Sequence, residues 1–141
     1  MKKYFLIAIS LSMLLLVYLF QRVSFAGLIN TFLPEAIQII NPNFIFAMNK
    51  TIRLILNDVA CIIFIYAVFE KQLYLKAAYY LFLIELVLLL PLYLILKLNL
   101  EGDSELSSPL LSQVHRLIVN PLLMFLLMMG FVYQNLTVKK S

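Results

Sequence analysis

Long apolar runs dominate the hydrophobic pattern of this chain, and polar residues gather in short segments between them. Four runs reach the roughly 17–25 residues that an α-helix needs to cross a bilayer. They cover about residues 4–20, 52–69, 73–96 and 117–133. Tyrosines near the ends of these runs are typical of an aromatic belt. The pattern predicts an all-α membrane protein with four transmembrane helices in one integral membrane domain, residues 1–141.

Composition supports the same class. Of the 141 residues, 64% are hydrophobic and 13% are charged, against roughly 45–50% and 25% in soluble domains. A soluble chain of this length could not bury so much apolar surface. The basic residues behind the net charge of +4 are spread along the chain and form no patch for nucleic acid. We expect the lipid bilayer as a partner and no nucleic acid.

The counts of special residues exclude several kinds of site. Cys61 is the single cysteine, which excludes an internal disulfide and a cysteine-based metal cluster. Three glycines leave no room for a glycine-rich phosphate loop. We therefore expect no metal and no cofactor.

The first apolar run has two interpretations. Lys2 and Lys3 precede it and "SFAG" follows it, so Ser24 and Ala26 could stand before a signal-peptide cleavage site. The run is longer than the roughly 7–15 apolar residues of a signal peptide. An uncleaved membrane anchor is therefore preferred over a cleaved signal.

The placement of basic residues predicts the orientation. With the N-terminus inside, the inner flanks carry paired lysines and the acidic loop "EGDSELSS" lies outside. The inner residues are Lys2, Lys3, Lys71, Lys76, Lys139 and Lys140, and the outer ones are Arg22, Lys50, Arg53, Lys97 and Arg116. The expected topology is N-in and C-in.

The first outer segment, about residues 21–51, is too apolar to be a free linker. Its "PEAIQII" stretch predicts a short amphipathic helix with Pro34 at the first position and Glu35 in the first turn. Pro42 should interrupt the chain after Asn41. We expect this segment on the membrane surface or against the helix bundle.

Two similar polar stretches open the second and fourth spans. "RLILND" runs from Arg53 to Asp58, and "RLIVNP" runs from Arg116 to Pro121. Both spans begin at the outer surface in this topology, and residues four apart share one helical face. The repeat predicts a polar interaction site at the outer ends of the two helices, formed by Arg53, Asn57, Asp58, His115, Arg116 and Asn120.

Two acids lie deeper in the predicted spans. A charged group at the centre of a membrane costs about 2.5–3.5 kcal/mol on insertion scales, and neither Asp58 nor Glu85 can reach water as an arginine can. We expect Arg53 and Arg116 to be the partners of Asp58. The intramembrane carboxylate Glu85 could bind Arg53, or stay protonated and donate to an amide.

Each of these residues also has a structural interpretation. Arginines at helix ends anchor helices at the interface, and asparagines between helices often only strengthen packing. Asn120 and Pro121 could simply begin a helix. Cys61 fits a small buried hydrophobic residue, and His115 an interfacial side chain.

Two stretches resemble a known family. "INPNFIFAMNKTIRLILND" and "VHRLIVNPLLMFLLMMGFVYQ" resemble the exosortase F system-associated membrane proteins of Bacteroidota. The first helix and the acidic loop resemble the family only in hydropathy and length. The resemblance implies a multi-pass protein of the bacterial inner membrane near an exosortase, a membrane enzyme that processes C-terminal sorting signals. It implies no catalytic activity for this chain.

Three functions follow from these expectations. The first is a non-catalytic accessory protein that docks the exosortase or its sorting-signal substrate through a periplasm-facing polar cluster. The second is a small transporter or channel subunit with Asp58 and Glu85 on a polar path. The third is a cysteine-dependent membrane enzyme. It is the least favoured, because Cys61 lies deep in its helix while His115 lies near the surface.

Overall fold

The computed structural model describes residues 2–103 and 108–138, and within these ranges the chain is helical with no β-strand. Lys139, Lys140 and residues 104–107 of the acidic loop lie outside the described residues. The α-helices are α1 (Lys2–Leu19), α2 (Phe25–Phe32), α3 (Pro42–Phe69), α4 (Gln72–Ile84), α5 (Leu90–Leu100), α6 (Pro109–Ile118) and α7 (Leu122–Val138). A 3-10 turn, Glu35–Ile37, precedes α3, and a π-helical turn, Glu85–Leu89, joins α4 to α5.

Three of the described helices are long and apolar enough to cross a membrane: α1, α3 and the continuous helix Gln72–Leu100. The pair α6 and α7 passes the same test together but bends by 56°, so it makes a fourth if the two are counted as one broken span. The all-helical class predicted from the sequence is confirmed, and these helices are compatible with a multi-pass membrane protein.

Helix α3 is the centre of the bundle, because α1, α2, α4, α5 and α7 all pack against it. At one end of the bundle, Lys3 of α1 lies 3.2 Å from Glu70, just after α3. At the other, Arg53 of α3 donates to the carbonyl of Gln21, just after α1. The two helices are therefore antiparallel.

The first outer segment differs from the prediction. Helix α3 starts at Pro42 and not near residue 52, because Asn41 caps it by accepting a hydrogen bond from the Asn43 amide at 3.0 Å. Its 28 residues span about 42 Å, longer than the roughly 30 Å hydrocarbon core. In "PEAIQII" only the turn Glu35–Ile37 is helical, and Pro34 precedes it.

The short helix of this segment is α2, which the sequence analysis missed. Ser24 caps it through a hydrogen bond from the Gly27 amide to its hydroxyl, 3.0 Å long. Asn49 of α3 holds the same end, since its side-chain oxygen accepts from the Ala26 amide at 2.9 Å. The extra turns of α3 beyond the end of α1 thus serve as the support for α2.

The π-helical turn lies in the middle of the third span. Pro91, two residues after it, has no amide hydrogen to donate to the carbonyl of Val87, and its ring would crowd that carbonyl in a regular helix. The chain widens instead, and the Leu90 amide bonds to the carbonyl of Glu85. Such widened turns recur at functional sites in other helices.

The fourth predicted span is broken where the sequence analysis assumed a continuous helix. Helix α6 ends at Ile118 and α7 begins at Leu122. Pro121 cannot donate an amide hydrogen bond and disfavours helical geometry at Asn120. Arg116 and Asn120 therefore do not share a helical face, and the repeat of "RLILND" in "RLIVNP" is not a structural repeat.

Two apolar clusters form the core. The lower cluster joins α3, α4 and α7 and contains Cys61, Ile65, Tyr74, Ala78, Met124, Met128 and Phe131. The upper cluster joins α3, α5 and the α6–α7 break and contains Leu54, Leu90, Tyr93, Ile118 and Val119. Because Asp58 lies between Leu54 and Cys61 along α3, its side chain enters the bundle between the two clusters.

Candidate functional site

A cavity of about 280 Å³ opens between α1, α3 and the α6–α7 break. Its polar lining includes Arg53, Asn57 and Asn120, which the sequence analysis had singled out, and Gln21. The apolar lining consists of Leu14, Val17, Tyr18, Pro121 and Phe125. We call it the Arg53 cavity, and it is the candidate functional site.

Backbone contacts hold the two deep polar residues of the Arg53 cavity in place. Arg53 is 8% exposed, and its guanidinium donates to the Gln21 carbonyl at the end of α1. Asn57 is one helical turn further along α3, and its Nδ2 donates to the Val119 carbonyl at 3.0 Å. Both carbonyls lie just beyond the end of a helix, where backbone carbonyls have no partner within the helix. The side chains of Arg53 and Asn57 provide the missing hydrogen-bond donors.

The polar lining of the Arg53 cavity suits an anionic or amide-bearing group. A guanidinium is a permanent cation with N–H donors, and Arg53 lines a cavity whose other walls are mostly apolar. Asn120 is exposed in the α6–α7 break and offers an amide at the rim. Such an arrangement can bind a carboxylate or phosphate through charge-assisted hydrogen bonds.

An apolar groove continues from the Arg53 cavity along α1 and α7. The two share Leu14 and Phe125 as lining residues. The groove has a volume of about 550 Å³ and is lined almost entirely by apolar side chains: Leu11, Leu14, Phe64, Phe125, Met128, Met129, Val132, Tyr133 and Leu136. A ligand with a polar end and an apolar body would therefore fit the cavity and groove together.

The other two residues of the predicted polar site lie elsewhere. His115 is half-buried in α6, and its Nδ1 is hydrogen-bonded to the Tyr93 hydroxyl at 3.1 Å. Arg116 is exposed on α6 and is not among the residues that line the Arg53 cavity. The break between Ile118 and Leu122 separates this pair from the helical face that Asn120 would otherwise share.

The expected partners of Asp58 are also different. Asp58 and Glu85 are both fully buried, and no described N–H or O–H group donates to any of their four carboxyl oxygens. The expectation that Arg53 and Arg116 pair with Asp58 is therefore wrong. The two carboxyl groups instead lie beside each other, where α3 contacts the π-helical turn. Helix α3 turns Arg53 towards α1 and Asp58 towards α4, because five residues separate them by about 140°.

Cys61 and His115 do not form a catalytic pair. Cys61 is fully buried in the lower cluster, while His115 packs beside Tyr93 of the upper cluster with ring centroids 5.6 Å apart. Cys61 therefore matches its structural interpretation as a small buried residue. No group of three or more His, Cys, Asp or Glu side chains in the described part of the chain could hold a metal ion.

Two buried lysines were not predicted from the sequence. Lys50 is 3% exposed with its ammonium 4.9 Å from the Phe46 ring, and Lys97 is 1% exposed and lies 2.5 Å from Glu101. The hydrogen bond from Lys97, with another from the Ser108 amide, lowers the pKa of Glu101 to about 2. The spacing of Lys97 and Glu101, four apart, was a readable signal.

Comparisons with protein-family models, with curated proteins and with solved structures gave no match.

Proposed function

We propose that this chain is a non-catalytic accessory protein of the bacterial inner membrane that docks an exosortase or its sorting-signal substrate at the Arg53 cavity. The observation that carries the proposal is the convergence of Arg53, Asn57 and Asn120 on one cavity with an apolar continuation. The resemblance of Ile40–Asp58 and Val114–Gln134 to exosortase-associated proteins supports the choice of partner.

The proposed topology has four spans, with both termini in the cytoplasm and α6–α7 as one broken span. Only exposed basic residues bear on the orientation. Among the described basic residues at the Arg53 end, Lys50, Arg53 and Lys97 are buried in protein, which leaves Arg22 and Arg116 exposed there. At the opposite end, four lysines are exposed: Lys2, Lys3, Lys71 and Lys76. Exposed basic flanks favour the cytoplasmic side, so the Arg53 cavity faces the periplasm.

The proposed ligand is a membrane-embedded segment with a carboxylate or other acceptor at its periplasmic end. Arg53 and Asn120 bind this acceptor, and the apolar groove between α1 and α7 receives the hydrophobic part. The resemblance implies a membrane enzyme that processes C-terminal sorting signals, and a membrane-embedded peptide segment would match this shape. Lipid phosphate would use the same donors and is the competing ligand.

Site-specific photo-crosslinking tests the position of the partner. Tyr18 lines the Arg53 cavity and is 67% exposed, while Tyr80 on α4 is 65% exposed, which makes it a matched control. A benzophenone amino acid replacing Tyr18 should crosslink to the exosortase or its substrate in cells that express both, and one replacing Tyr80 should not. Equal crosslinking from both positions, or crosslinking to lipid alone at Tyr18, would overturn the proposal.

Substitutions test the chemistry of docking. Arg53→Gln and Asn120→Ala should each reduce co-purification of the partner at least tenfold, while Arg53→Lys should retain part of it and Arg116→Gln nearly all. Asn120 is exposed, so Asn120→Ala should not unfold the protein. If Arg53→Gln unfolds it, the co-purification of Asn120→Ala still decides the test. Undiminished co-purification by Asn120→Ala and Arg53→Gln, with normal folding, would exclude the Arg53 cavity as the docking site.

A further inference from the structure

Asp58 and Glu85 form an isolated pair of acids inside the bundle, which we call the carboxyl pair. Asp58 comes from the middle of α3, and Glu85 from the first position of the π-helical turn. Both side chains have no exposure, and their four oxygens receive no hydrogen bond from any described donor. Nothing proposed for the Arg53 cavity uses them.

The contact between the two acids has a chemical requirement. An ionised carboxylate only accepts hydrogen bonds, so two carboxylates placed side by side would repel each other. A hydrogen bond between them exists only if one carries a proton and donates it to the other. The proton also removes one of two charges that would otherwise be buried, and burying an unpaired charge is far more costly than burying a neutral acid.

The surroundings offer no other way to neutralise the carboxyl pair. Of the basic side chains nearest along the same helices, Arg53 turns to the Gln21 carbonyl and Lys97 to Glu101. Helix α7 and the part of α1 beyond Lys3 contain no charged residue. In α6, the ring of His115 is hydrogen-bonded to Tyr93, and Arg116 is exposed, as is Lys76 of α4.

One titratable neighbour remains beside the carboxyl pair. It is the thiol of Cys61, one turn further along α3. A thiol is a weak donor and forms no hydrogen bond to either acid. The proton that the pair requires therefore has to come from outside the protein.

We propose that the carboxyl pair is a proton-binding site within the membrane, which holds one proton shared between Asp58 and Glu85. The site lies beside the Arg53 cavity, since Asn57, the residue before Asp58, lines that cavity. The π-helical turn at Glu85 allows the acid to shift without breaking the helix, since its backbone ladder is already widened.

Carbodiimide labelling tests whether a carboxyl group of the pair is protonated. Dicyclohexylcarbodiimide partitions into membranes and reacts with protonated carboxyl groups there, and mass spectrometry of the protein in liposomes locates the product. We expect labelling of Asp58 or Glu85 at neutral pH and a loss of labelling as the pH is raised. The double variant Asp58→Asn/Glu85→Gln should lose at least nine-tenths of the label, and Glu35→Gln, which removes an exposed acid, should lose none.

Infrared spectroscopy of the unchanged protein keeps the test independent of how the variants fold. A protonated carboxyl group gives a carbonyl band that shifts in heavy water, and we expect such a band at neutral pH from the wild-type chain. Absence of the band together with absence of label would overturn the proposal. Protection from labelling by sodium chloride, but not by choline chloride at the same ionic strength, would also overturn it, because the bound cation would then be sodium.

Discussion

The side-chain amide of Asn57 donates a 3.0 Å hydrogen bond to the backbone carbonyl of Val119, 62 residues later in the chain. Val119 lies in the break between α6, which ends at Ile118, and α7, which begins at Leu122, so its carbonyl is outside both helices. An asparagine in the central helix therefore stabilises an irregular piece of backbone in a neighbouring helix. The same contact places Asn120 at the rim of the Arg53 cavity.

We expect Asn57→Ala to destabilise the protein by about 0.6 kcal/mol, the average for hydrogen bonds between membrane helices, and by no more than about 1.7 kcal/mol. The variant leaves the Val119 carbonyl without its partner. Reversible unfolding in mixed detergent micelles measures the change. Asn43→Ala is the matched control, since Asn43 lies on the same helix with an exposed side chain, and a loss as large as that of Asn57→Ala would contradict the prediction.

The stacked rings of Tyr74 and Phe131 are expected to dominate the stability of the lower cluster. Their centroids are 4.1 Å apart with an interplanar angle of 6°. Phe131→Ala should destabilise the protein by about 3–5 kcal/mol, as for large-to-small changes in cores. Val132→Ala, at a neighbouring position that is 48% exposed, should change the free energy of unfolding little. Equal losses from the two variants would show that the ring pair has no special role.

Glu70 ends α3 in a left-handed conformation with φ of 54°. Glycine adopts this conformation without the cost of roughly 1–2 kcal/mol that other residues incur. Glu70→Gly also loses the exposed ion pair with Lys3, worth about 0–1 kcal/mol. We therefore expect Glu70→Gly to be more stable than Glu70→Gln, which loses the ion pair and keeps the strain, by about 1 kcal/mol. Thermal unfolding of the two variants side by side measures the difference, and a glycine variant no more stable than the glutamine variant would contradict it.

Glu101 should make the protein sensitive to acid. Hydrogen bonds from Lys97 and the Ser108 amide lower its pKa from 4.5 to about 2 in the folded protein. A carboxyl group with a lowered pKa stabilises the fold above its ordinary pKa and loses that contribution as the pH falls towards the folded value. The stabilisation is therefore present at neutral pH and lost between about pH 4.5 and about pH 2.

Thermal melts of wild type and Glu101→Gln at neutral pH and near pH 2 test this prediction. The variant should melt at a lower temperature than wild type at neutral pH, and the two should converge in acid. Glu35→Gln, with an exposed carboxyl in another segment, serves as the control. A difference between wild type and Glu101→Gln that persists unchanged near pH 2 would exclude the proposed hydrogen bonds as its cause.

The sequence alone determined the all-helical class and the approximate extent of α1 and of the helix Gln72–Leu100, because only long apolar runs can cross a bilayer. It also identified Arg53 and Asn57 as neighbours, since residues four apart share a helical face. It did not show that α3 begins at Pro42, because the apolar residues before Arg53 are equally compatible with a surface segment.

Only the tertiary structure decided which polar groups meet. It pairs Asp58 with Glu85 and not with an arginine, and it separates Arg116 from Asn120 by the break at Pro121. The helical repeat of the sequence predicts which face of its own helix a residue lies on, but not which residue of another helix it contacts. Contacts between helices depend on how far each helix is rotated and shifted along its neighbour, and the packing of whole side chains sets both of these. The Arg53 cavity and the carboxyl pair are therefore products of helix packing.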